Sequence, residues 1–78
     1  MTTIEKVKSI LPSLVYDVKD KSYTYQYRYM CDKFENDEDF ELIKEKMTNL
    51  VNKLNSLTKR ESNRFIKRDF ESDIWNDI

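Results

Sequence analysis

Seven apolar side chains, Phe40, Ile43, Met47, Leu50, Val51, Leu54 and Leu57, recur at three- and four-residue spacings and, at about 100° per residue, fill one stripe of a helix. The next apolar set, Phe65, Ile66, Phe70, Ile74, Trp75 and Ile78, does not continue that stripe. On one uninterrupted helix, Ile66, Phe70 and Ile74 would lie roughly opposite Met47 and Leu54. A single rod would have to face two ways. The chain is therefore expected to break near residues 56–58 and double back. The stretch "TKRE" from Thr58 to Glu61 has the Ser/Thr-x-x-Glu form of a capping box that starts a new helix. The long helix is expected to run from Asp37 to Ser56, capped by Asn36. Asp37, Glu38, Asp39 and Glu41 then sit in or near its first turn, where the positive end of the helix dipole favours them.

Upstream, Ile4, Val7, Ile10 and Leu11 fall at helical spacing with Thr2 or Thr3 as cap and Pro12 just beyond, which predicts a short amphipathic helix over residues 3–11. From Leu14 to Cys31 the composition turns to Val, Thr and Tyr, residues suited to a pleated, half-buried surface. "SYTYQYRYM" places Tyr23, Tyr25, Tyr27 and Tyr29 at alternate positions, with Thr24, Gln26, Arg28 and Met30 between them. This alternation predicts a strand with its tyrosine face covered. It is expected to pair with Leu14–Val18 in a hairpin, although the turn between them lacks glycine and Asn-Gly. The competing reading is a helix, since Tyr23, Tyr27, Met30 and Phe34 also follow helical spacing. A two-stranded hairpin is not stable alone. The tyrosine face and the long helix's apolar stripe are therefore expected to cover each other, each ring buried with its hydroxyl reaching a polar edge. The fold class expected is α+β: short helix, hairpin, long helix and C-terminal helix, with an all-α bundle as the alternative.

Seventy-eight residues make one domain, 1–78. At this size apolar burial and chain entropy nearly balance, so self-association is a live expectation. A homodimer is expected through the hairpin edge or the C-terminal helix, with Ile74 and Trp75 as interface anchors.

Cys31 is the one cysteine and histidine is absent, which removes disulfide frameworks, Cys/His zinc sites and any catalytic group built on imidazole. No catalytic residue, metal site or cofactor is expected. A lone thiol and an N-terminus that mixes charged with apolar residues suit the cytoplasm. No apolar run approaches the ~20 residues of a membrane span. Glycine and alanine, both with G+C-rich codons, are missing. An A+T-rich genome follows, and with it an expectation of a phage or mobile-element source.

Net charge is −1, but it is segmented: residues 32–45 carry seven acidic and two basic side chains, and residues 46–69 seven basic and two acidic. The acidic block offers Glu35, Asp37, Glu38, Asp39, Glu41 and Glu45. Carboxylates spaced along a surface can imitate a phosphate row, although helix capping accounts for several of them. In the basic block Arg60, Arg64, Lys67 and Arg68 share one helix side and can grip phosphates. A pI of about 5.4 argues against a dedicated nucleic-acid binder, which tends to lie above ~9.

The function expected is therefore a non-enzymatic interaction protein. It would be a small phage or mobile-element inhibitor or regulator binding a larger host protein, such as a nuclease or a replication or transcription factor. The alternative is a small nucleic-acid-binding regulator using the basic stripe of residues 59–68. No membrane partner is expected.

Overall fold

The computed structural model describes residues 2–67 and 78. Their order is α1 (Thr3–Ser9), a 3-10 turn (Leu11–Ser13), β1 (Leu14–Asp17), β2 (Ser22–Tyr25), α2 (Tyr27–Phe34), α3 (Phe40–Ser56) and α4 (Lys59–Lys67). The expected α+β class holds: helices gather on an antiparallel hairpin.

Helix α1 opens with a reciprocal capping box. The Thr2 hydroxyl accepts from the Glu5 N–H at 3.2 Å while the Glu5 carboxylate accepts from Thr2. It ends at Ser9, and Pro12 sits in the 3-10 turn that delivers the chain to β1. Val7 and Ile10 go into the core.

The hairpin pairs Leu14 with Tyr25 and Tyr16 with Tyr23. Its loop manages without glycine because the Asp17 carboxylate accepts from the N–H groups of Lys19 and Asp20, at 2.9 and 3.1 Å. Lys21 then takes φ 54°, the left-handed conformation that closes the turn.

The tyrosine row is not one strand. Tyr23 and Tyr25 lie in β2 and pack on the core, but the strand ends there. Tyr27 and Tyr29 belong to α2 and are 45% and 38% exposed. The expected strand to Met30 is thus corrected, and Met30, assigned to its outer face, is fully buried. The register explains the stop: prolonging it would set Tyr27 opposite Pro12, inside the 3-10 turn where the partner chain is no longer extended, and Met30 opposite Ser9 inside α1. Gln26 makes the last bond across, its N–H to the Ser13 carbonyl at 2.9 Å. The chain then coils, and Met30 and Phe34, four apart, turn inward together.

Helix α3 buries Ile43, Met47, Leu50 and Leu54, the stripe expected of it. It begins at Phe40 rather than Asp37, and Asn36 is not its cap. The Asp37 carboxylate instead accepts from the Asp39 N–H at 2.8 Å, holding residues 37–39 as a bent lead-in. The helix ends at Leu57, which is extended (ψ 159°), and α4 opens with the expected box. There the Thr58 hydroxyl accepts from the Glu61 N–H at 3.2 Å, and Glu61 accepts from Thr58. Ser62 is buried and donates to the Leu54 carbonyl at 2.8 Å, satisfying a last-turn acceptor of α3 that the break orphans. Phe65 thereby reaches the core that Ile78 also joins. Each such buried side chain contributes about 1.5–3 kcal/mol of transfer free energy.

Candidate interaction surfaces

The acidic block divides into two parts with different work. Asp37 and Asp39 are drawn inward by Lys6 of α1, whose Nζ lies 2.9 and 3.1 Å from their carboxylates. The bond from the Asp39 N–H and the Lys6 ammonium hold the Asp37 carboxyl below its ordinary range, and the two carboxylates push Lys6 up. These two acids are a clamp between α1 and α3, and they are withdrawn from the expected phosphate-like row.

Glu35, Glu38, Glu41 and Glu45 remain exposed, with no cation in salt-bridge range among the described residues. Glu41 and Glu45 occupy the outward face of α3, where they line an open depression with Leu42, Lys44, Thr48 and Asn49. Leu42, on one flank, is 41% exposed. On the other flank stands Tyr27, its ring 6.3 Å from that of Phe40 and edge-on at 71°, with the Lys44 ammonium 5.5 Å from the Tyr27 centroid. A hydrogen bond with Cys31, partial burial and the nearby Glu41 charge raise the Tyr27 hydroxyl pKa. Tyr29, two residues on, points to the other side of α2 and takes no part. The result is a carboxylate pair between an aromatic and an aliphatic side chain. The glutamates stand out as candidates in the sequence, whereas Tyr27 and Leu42 do not. Leu42, off the buried stripe, was the available signal.

The basic stripe is half visible. Arg60 and Arg64 are exposed on the solvent side of α4, opposite Ser62 and Phe65, and line a second depression with Lys59 and Asn63. Lys67 closes α4, while its side chain, Arg68 and the anchors Ile74 and Trp75 lie outside the described residues. Lys59, the first residue of the expected 59–68 stripe, lies with Nζ 5.3 Å from the Tyr16 ring centroid, and that ring packs on Tyr23 at 5.0 Å. The hairpin tip is thereby brought to the α3–α4 corner.

Compared with known protein families, with curated proteins and with solved structures, the chain matches none. Among the described residues no group of three or more His, Cys, Asp or Glu side chains is placed to hold a metal ion. No described helix is long and apolar enough to cross a membrane.

Proposed function

We propose that this chain is a non-enzymatic cytoplasmic interaction protein that binds a larger protein stoichiometrically, an inhibitor or regulator of phage or mobile-element origin acting on a host nuclease or a replication or transcription factor. The observation that carries the binding role is the outward face of α3: Glu41 and Glu45, with no cation in salt-bridge range among the described residues, between the exposed side chains of Tyr27 and Leu42. Tyrosine is enriched at interfaces because a rigid ring buries much area at low entropic cost while its hydroxyl keeps a polar partner. Two carboxylates at the centre of such a face call for a partner with a basic patch beside an apolar slot. Asp37 and Asp39, tied to Lys6, position this face rather than touch the partner. The origin rests on composition: no glycine, no alanine and small size.

The test compares the wild-type chain with Tyr27→Ser/Leu42→Ser and with Glu41→Gln/Glu45→Gln as baits in a matched lysate, read by quantitative mass spectrometry. All four positions are partly or fully exposed, so circular dichroism should show each variant folded. One dominant protein recovered near one-to-one, and weakened about tenfold or more by either double variant, is expected. Equal recovery by all three baits, or none above background, overturns the reading.

A further inference from the structure

The net charge of −1 hides a separation that the fold creates. Glu35, Glu38, Glu41 and Glu45 sit around the first turns of α3, and the exposed arginines of α4 follow its end. From Glu45 and Glu41 to the last residue of α3, Ser56, is about 17 and 23 Å at 1.5 Å per residue. Salt screens charges over about 8 Å at physiological ionic strength. A ligand at one end of α3 therefore responds to that end alone, and the low pI of the chain carries no information about it.

The end that follows α3 is assembled from two distant parts of the sequence. Asn55 holds the backbone of Tyr23, and Lys59 covers the ring of Tyr16, so the hairpin is tied to the α3–α4 corner within two residue pairs of the loop that carries Lys19 and Lys21. Three carboxylates share the corner, Asp17, Asp20 and Glu61. Asp17 is bonded by the N–H groups of its own turn and Glu61 by Thr58, but all three keep their charge, so Lys19, Lys21, Lys59, Arg60 and Arg64 leave the corner at about +2. Arg60 and Arg64, one helical turn apart, have no carboxylate in salt-bridge range among the described residues. Their guanidinium groups are forks suited to phosphate oxygens. Among the described residues the large exposed aromatics, Tyr27 and Tyr29, belong to α2, away from this corner. The Tyr16 ring at the corner is half-buried and covered by Lys59.

We infer that the corner formed by Arg60, Arg64, Lys59 and the Lys19–Lys21 loop is a second binding surface, for the phosphodiester backbone of nucleic acid, held without reading sequence. It is independent of the protein-binding face and makes the chain suited to a partner that is itself on nucleic acid. Backbone binding of this kind is weak and steeply salt-dependent, because each phosphate neutralised releases condensed counterions.

The probe is a fluorescein-labelled mixed-sequence duplex, titrated with the full chain across about 50–200 mM salt and followed by anisotropy. Binding is expected in the range of about 10⁻⁴–10⁻⁶ M, with log K falling against log salt at a slope of about −3 to −4 for four contacts. Arg60→Ala/Arg64→Ala should weaken it about tenfold or more and cut the slope by about 2. Glu41→Gln/Glu45→Gln should leave it within about twofold, since those carboxylates lie about two screening lengths away. No binding at the lowest salt, a slope indifferent to the arginine changes, or tighter binding to polyglutamate or anionic vesicles than to the duplex would each overturn the inference. Because the glutamate variant tests the other face, failure here and failure of the protein-binding reading are told apart.

Discussion

The side-chain amide of Asn55 lies flat against the backbone of Tyr23, accepting from its N–H at 2.6 Å and donating to its carbonyl at 3.0 Å. A single residue of α3 thus does at one point what a third strand would do along the whole edge. Both Tyr23 backbone groups face away from β1, as expected of a non-hydrogen-bonded pair with Tyr16, and the edge of β2 is closed where it would otherwise recruit another chain.

Replacing Asn55 with Ala should lower stability by about 1–2 kcal/mol, since both bonds are solvent-near and each is worth about 0.5–1.5 kcal/mol net. Asn55→Asp, which can accept but not donate, should fall between. Urea unfolding monitored by far-UV circular dichroism measures both. Light scattering should show the Ala variant associating at concentrations where the wild type does not, because the freed edge pairs with a second copy. An Ala variant as stable as the wild type would mean that the pairing does not hold the hairpin to α3.

Lys21 adopts a left-handed backbone that costs a side-chain-bearing residue about 1–2 kcal/mol. Lys21→Gly relieves that strain but raises the entropy of the unfolded chain, so a net gain of up to about 1 kcal/mol is expected. Lys21→Val should destabilise instead. The order Gly above Lys above Val in thermal midpoint is the readout.

The Lys6 clamp makes stability fall at both ends of the pH scale. The Asp37 carboxyl is held below its unfolded value, first by the Asp39 N–H and then by Lys6, so its contribution is complete above a pH of about 4 and drains away as pH drops through the folded value. Lys6 is held above its unfolded value, so its contribution is complete below a pH of about 10 and is lost as pH rises through the folded value. Lys6→Met should move the Asp37 carboxyl titration, followed by NMR, upward but not fully to normal, because the Asp39 N–H remains. An unchanged titration would show the ion pair to be idle.

At the α3–α4 corner, Thr58→Ala removes the cap and should cost about 1 kcal/mol. Ser62→Ala leaves the Leu54 carbonyl without its donor and should cost about 1–2 kcal/mol. For a domain of this size each kcal/mol lowers the melting temperature by about 4–8 °C. The two changes act on opposite sides of one bend, so their combined effect should depart from the sum by about 0.5 kcal/mol or more.

The amino-acid order alone determined much that is local and periodic: the buried α3 residues Ile43, Met47, Leu50 and Leu54, the break near residues 56–58, the Thr58–Glu61 box and the existence of a hairpin, though not the start of α3, which the Asp37 carboxylate moves to Phe40. Each is settled by residues within one or two turns of one another. The end of β2 was open, because Tyr23 to Phe34 satisfies a period of two and a period of 3.6 at once. What decided it was the partner chain, where the 3-10 turn and α1 leave no extended segment for Tyr27 to pair with. The roles of Lys6, Asn55 and Lys59 were out of reach for the same reason, their partners Asp37, Tyr23 and Tyr16 lying 31, 32 and 43 residues away. Tertiary packing also set which charges are spent internally and which face water. That division depends on distance in space, and the linear charge pattern does not contain it.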